Sequence, residues 1–211
     1  MLGEPYSTVA SALRRAALDP ESEIRLAERG VYTRTATPGA GWGRTPGGSD
    51  TGGPLAWEDV CAMPGLRDLQ FKVELDGFGR LLMSPTASRH VFLQRRFQRI
   101  LEDALGGVAV TECPVHVGDG VRVADVGWME EGFARARQDE AAFSVAPPIC
   151  VEVMSPSNVW AEMEEKVTLY LAKGAQEVWI CEASGRLRWF GHEGERASSA
   201  LVPDAPATVT L

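Results

Sequence analysis

Two apolar runs in this chain each carry one acid near their centre. VRVADVGWM (121–129) holds Asp125, and PPICVEVMSPSN (147–158) holds Glu152. In the second run Ile149, Val151 and Val153 alternate with Cys150, Glu152 and Met154, the period of a strand entering a core. A carboxylate buried alone in such a strand costs several kcal/mol and is pushed toward its neutral form. If the two acids converge, they repel unless a cation lies between them. A hard ion such as Mg²⁺ binds through one or two carboxylates plus water and phosphate oxygens, the arrangement of metal-assisted phosphodiester hydrolysis. The competing reading puts each acid on a solvent face or in an ordinary ion pair.

The surrounding pattern predicts a mixed α/β (α+β) fold. LAWEDVCAM (55–63) reads as a short amphipathic helix, and FKVELD (71–76) with GRLLMS (79–84) as a hairpin around Gly77. Residues 88–107 form the clearest helix: Leu93, Phe97, Ile100, Leu101, Ala104 and Leu105 follow the 3.6 period, and Gly106 can end it. A strand over 108–117 is expected to break at Pro114, and EEGFARARQDEAA is expected to be irregular. A second amphipathic helix is predicted over 158–174, closed by Gly174, then a hairpin of 176–182 with 185–191. Trp128, Trp179 and Trp189 fall in strands and read as core, while Trp160 lies near the Glu152 loop.

The first 54 residues differ. Helices are conceivable over 5–17 and 20–29, and residues 36–54 hold seven Gly and three Pro. That composition has little to bury, so 1–54 reads as a flexible extension and 55–211 as the folded domain. With 211 residues, 45% hydrophobic and 24% charged, the chain can build a core without disulfide or metal staples. No stretch approaches the ~20 apolar residues of a membrane span, and no signal pattern opens the chain. Cys61, Cys113, Cys150 and Cys181 are far apart, and His90, His116 and His192 are isolated, so a structural zinc site has little support. A reducing, cytoplasmic location is the expectation. The formal charge of −8 argues against a static nucleic-acid coat protein. Yet Gly77–Leu101 contains Arg80, Arg89, Arg95, Arg96 and Arg99 and no acid. Such a stripe can track phosphates or be a plain solvated face.

Of the 21 basic residues only Lys72, Lys166 and Lys173 are lysine. Lys166 lies on the helix after Glu152, where it can orient a water or offset charge on a phosphate; its spacing to Glu162 also suits a simple ion pair. His90 can cap, pack or touch substrate. Ser157 or Asn158 is placed to cap the next helix. No GxSxG elbow, phosphate loop or dinucleotide glycine pattern occurs.

HVFLQRRFQRIL, VRVADVGWM, PPICVEVMSPSN and EMEEKVTLYLAKGAQEVWICE, preceded by VELDGFGRLLMSP, resemble in this order the Uma-two family of restriction-endonuclease-like proteins, in the PD-(D/E)XK nuclease superfamily. The resemblance covers roughly residues 55–190. It implies a mixed central sheet flanked by helices, with Asp125 and Glu152 as the motif acids and metal ligands. The backbone carbonyl of Val153 would be a third ligand. The superfamily lysine, displaced by Met154 from its usual place, would be Lys166. Glu74 matches the hairpin acid, Glu162 stands where the family often has Asp, and Ala124 replaces a common Pro. With His90 these are secondary candidates, and Arg89, Arg95, Arg96 and Arg99 are candidate nucleic-acid contacts. The implied activity is a Mg²⁺- or Mn²⁺-dependent endonuclease acting on DNA, and cutting both strands would suit a homodimer. Two other readings stand beside it: a catalytically silent nuclease-like module that binds nucleic acid or protein, and a metal-free acid/base hydrolase using the two carboxylates.

Overall fold

The computed structural model describes residues 24–28, 31–34, 56–62, 71–85, 87–155 and 158–211. The described strands form one mixed sheet: β1 (Ile24–Glu28), β2 (Val31–Arg34), β3 (Phe71–Leu75), β4 (Leu81–Pro85), β5 (Val108–Val117), β6 (Gly120–Met129), β7 (Ile149–Val153), β8 (Glu177–Cys181), β9 (Leu187–Gly191) and β10 (Gly194–Arg196). The order is β1-β2-β4-β3-β6-β7-β8-β9-β10, with β5 paired to β6 off this path. Every pairing is antiparallel except β7 with β8. That parallel pair needs a crossover, supplied by helix α4 (Trp160–Ala172). The other described helices are α1 (Trp57–Ala62), α2 (Ser88–Leu105) and α3 (Glu131–Arg137).

β6, β7 and β8 are buried at every position, because helices cover both sheet faces. On one face Leu93, Phe97 and Leu101 of α2 pack with Val126, Trp128, Val151 and Trp179. On the other, Met163, Val167 and Tyr170 of α4 pack with Cys150, Val178 and Ile180. Phe97 and Leu101 are fully buried, and each such side chain contributes about 1.5–3 kcal/mol. Gly106, at φ 66°, ends α2 with its N–H on the Glu102 carbonyl, and Gly174 follows α4 at φ 100°.

Several local expectations are corrected. Residues 24–28 are a strand, not part of a helix over 20–29: IRLAE and VYTR form a hairpin, and β2 pairs with β4 (Val31↔Leu82, Tyr32↔Leu81). The expected helix over 5–17 and the Gly/Pro-rich segment 36–54 lie outside the described residues. Pro114 does not break β5, because among the described strands β5 is paired with β6 alone. Its other edge meets an isolated bridge at Val115↔Phe143, where the Pro114 carbonyl accepts the Phe143 N–H and the missing Pro N–H is tolerated. The irregularity falls at Glu112, whose φ of 50° is strained for a residue with a side chain. EEGFARARQDEAA is helical over Glu131–Arg137, with Arg137 stacked on Phe133 at 4.0 Å and two arginines in the last turn. The short strand β10 was not expected. Among the described residues no helix is long and apolar enough to cross a membrane.

Candidate active site

The β6–β7 ladder runs Trp128↔Ile149, Gly127↔Cys150, Val126↔Val151 and stops. One step further Asp125 would oppose Glu152. Instead the Asp125 carboxylate takes over from the main chain: its Oδ2 accepts the Val153 N–H at 2.7 Å. The same step is skipped on the β5 side, between Thr111↔Val126 and Cys113↔Ala124, where the strained Glu112 sits. Asp125 and Glu152 are 1% and 2% exposed, so the gap between the strands is a buried acidic centre.

Two lysine ammonium groups and an imidazole reach into it. Lys72 on β3 donates to Asp125 Oδ1 at 2.6 Å and Glu152 Oε2 at 3.2 Å. Lys166 on α4 donates to Glu74 Oε1 at 2.8 Å and to both Glu152 oxygens at 3.2 Å. His90, in the first turn of α2, places Nε2 3.0 Å from Asp125 Oδ1. Tyr170 of α4 donates its hydroxyl to Glu152 Oε1 at 2.8 Å, and Glu74 also accepts the Val123 N–H at 2.8 Å. Lys72 and Glu74 are two apart on β3, so both side chains leave the same face of the hairpin.

The electrostatics divide the two central acids. Burial pushes Asp125 up, but the charge of Lys72 and the His90 hydrogen bond prevail and hold its carboxyl well below the usual range. Burial also dominates at Glu152, where the nearby Asp125 and Glu74 add to it, and its carboxyl is raised despite Lys166 and Lys72. Glu74 is lowered: burial is outweighed by Lys166 and Lys72. Against the pull of burial, Asp125 raises His90, and Asp125 and Glu152 hold the Lys72 ammonium well above its ordinary value.

Lys72, His90, Asp125, Glu152 and Lys166 line a narrow pocket of about 40 Å³, together with Ser84, Val153, Ser155, Asn158 and Met163. That is room for a few waters, so a polymeric substrate would meet the site at its mouth. A larger open groove of about 570 Å³ lies along β9 and β10. It contains none of these acids, and its Arg188 and Arg196 already hold Glu195 and Glu193.

Of the residues singled out in the sequence, Asp125, Glu152, Val153, Lys166, Glu74 and His90 come together here. Glu162 does not: it is exposed in the first turn of α4, with its carboxylate on the Val159 N–H and the Asn158 amide. Asn158 does not cap α4 but closes its own loop, accepting the Ser155 N–H at 2.8 Å; Ser157 lies outside the described residues. Trp160 packs against Arg188 and Phe190, away from the pocket. Arg89, Arg95, Arg96 and Arg99 are exposed on α2. Sequence reasoning passed over Lys72 and Tyr170. The signal for Lys72 was available, since it is one of three lysines and stands two residues from Glu74 on a predicted strand.

A family model described as a putative restriction endonuclease, Uma2, matches residues 57–211. The chain belongs to this family. The Uma2 match spans every element that contributes to the pocket. A crystal structure of a putative nuclease belonging to DUF820 from Anabaena variabilis ATCC 29413 is similar at 16% identity and a TM-score of 0.57, over 74% of this chain and 90% of that one. That likeness supports the nuclease-like fold. No curated protein matches the chain.

The oxygen donors suit a hard divalent cation. Asp125 Oδ1 and Glu152 Oε2 converge on one point, because a single ammonium touches both. Among the described residues no three His, Cys, Asp or Glu side chains are grouped to hold a metal unaided. An open two-carboxylate site, completed by water and substrate oxygens, is what Mg²⁺ favours.

Proposed function

We propose that this protein is a Mg²⁺- or Mn²⁺-dependent endonuclease that hydrolyses phosphodiester bonds of DNA. The observation that carries the reading is the convergence of Asp125 and Glu152 oxygens on one cation position, with the Lys166 ammonium beside it. Asp125, Glu152 and the Val153 carbonyl would hold the ion. When bound, it would supply Lewis-acid polarisation of the phosphate and charge stabilisation at the leaving oxygen.

The remaining work falls to the chain. His90 and the Val153 N–H fix the Asp125 carboxylate, and Tyr170 with Lys166 fixes Glu152. Lys166 is the charged donor available to orient the attacking water and offset negative charge on the phosphate. The Glu74 contact holds that ammonium at the pocket. Residues 55–211 form the catalytic unit on this reading.

The α2 arginines support a nucleic-acid substrate. Arg80, Arg122, Arg188 and Arg196 each hold a carboxylate. Among the described residues Arg89, Arg95, Arg96 and Arg99 are in no ion pair, and they stand on α2, the helix that carries His90 in its first turn. Arg96 also donates to the Thr210 carbonyl. These exposed guanidinium groups, within about three turns of His90 along α2, would hold phosphates flanking a scissile bond.

The test is cleavage of plasmid and single-stranded DNA with Mn²⁺ and with chelator, for wild type and Glu152→Gln. Metal-dependent cleavage lost in the variant is expected. Binding without cleavage under every condition would favour the silent nucleic-acid-binding module, which the ammonium at the cation position also suits.

A further inference from the structure

Lys72 stands at the one point where the oxygens of Asp125 and Glu152 meet. Its Nζ lies 2.6 Å from Asp125 Oδ1 and 3.2 Å from Glu152 Oε2, and its side chain is only 9% exposed. Lys166 is arranged differently. It reaches Glu74 and Glu152 but makes no hydrogen bond to Asp125, so it flanks the pair and does not bridge it. The bridging place is the one a divalent cation needs, and two cations cannot share it. Lys72 enters from β3, while both acids lie on β6 and β7. It is a compact charge on a flexible four-carbon stem, able to leave without moving either acid-bearing strand.

We infer that Lys72 is the resident cation of the metal-free site, so that a divalent ion binds between Asp125 and Glu152 only by displacing the Lys72 ammonium. This rests on the metal-dependent reading above. Lys72 thereby sets the affinity of the site for metal. The apparent dissociation constant is the intrinsic one divided by the fraction of molecules with Lys72 released. If fewer than about one molecule in ten has the ammonium released, affinity is weakened at least about tenfold. Lys72 also offsets the repulsion between the two buried carboxylates until a metal ion takes its place.

The test is Mn²⁺ binding, read by calorimetry on the full chain for wild type, Lys72→Met, and Lys72→Met combined with Asp125→Asn. Methionine keeps the length of the stem and removes the charge. Lys72→Met is expected to bind Mn²⁺ about tenfold or more tightly than wild type, with that gain lost in the double variant. A purely structural lysine would weaken binding when replaced, not strengthen it. Equal or weaker binding by Lys72→Met, with wild type still binding, overturns the inference and leaves the metal-dependent reading standing. Absence of Mn²⁺ binding in both contradicts the metal-dependent reading itself and takes this inference with it. If Lys72→Met does not fold, crystals of wild type soaked in Mn²⁺ decide. The ion between the two acids with Lys72 turned away supports displacement; Lys72 still bridging both acids refutes it.

Discussion

Replacing Lys166 by Met should destabilise the protein before any chemistry is considered. The Lys166 side chain is 11% exposed and holds Glu74 at 2.8 Å and Glu152 at 3.2 Å. Removing one partner of a buried ion pair costs about 3–5 kcal/mol, because the other charge is left uncompensated. Here the lower end applies. Glu152 keeps Lys72 and Tyr170, and Glu74 keeps the Val123 N–H. For a chain of this size about 3 kcal/mol corresponds to a drop in Tm of roughly 6–12 °C, at ~2–4 °C per kcal/mol. Adding Glu74→Gln removes the stranded charge but leaves an acceptor for Val123. The double variant should therefore melt above Lys166→Met alone, with a coupling of at least ~1 kcal/mol. Circular dichroism melts in chelator read both effects. A Lys166→Met protein melting within about 2 °C of wild type, or a double variant whose losses simply add, would refute the picture of a mutually neutralised cluster.

Other outcomes follow from the same contacts. Reversing Arg95 and Arg99 together should weaken DNA binding in chelator across sequences and flatten its log–log salt dependence by about two, measured by fluorescence anisotropy. Asp76 holds Arg80 at 2.6 Å and accepts the Phe78 and Arg80 N–H groups in the β3–β4 turn, which keeps its carboxyl below the ordinary value despite burial. Its contribution is present above the unfolded value of about 3.9 and is lost as pH falls through the lower folded value. Asp76→Asn should thus lower Tm at neutral pH and converge on wild type in strong acid. Glu177, fully buried, accepts from Trp179, Ser199, Ala200, Leu201 and Arg196. Glu177→Ala strands several of these donors and should cost at least ~3 kcal/mol, read as a fall in Tm of about 6 °C or more.

The sheet and its two main helices were legible because their residues obey simple periods. Leu93, Phe97 and Leu101 mark α2, and Ile149, Val151 and Val153 mark β7. The acids were legible for the opposite reason, since Asp125 and Glu152 violate the apolar pattern around them. What escaped depends on tertiary neighbours. Pro114 breaks a central strand but not an edge strand, and nothing local to β5 says which it is. The helix at 131–137 has no continuous apolar face and draws on the Phe133–Arg137 stack. Lys72 reads as an ordinary exposed strand residue until β3 is laid beside β6. Its place between two acids is a product of topology, as is the failure of Glu162, one turn before Lys166 on the same helix, to reach the pocket.

The central claim is that the acids at the β6–β7 gap carry out phosphodiester hydrolysis. The most direct measurement is the initial rate of cleavage of an end-labelled single-stranded oligonucleotide in saturating Mn²⁺. It compares wild type with Asp125→Asn, purified in parallel and shown to melt as folded proteins. Losing one essential group of such a centre should lower the rate by a factor on the order of 100 or more. Equal rates in the two proteins would contradict the account, because the cleavage would then owe nothing to the centre described.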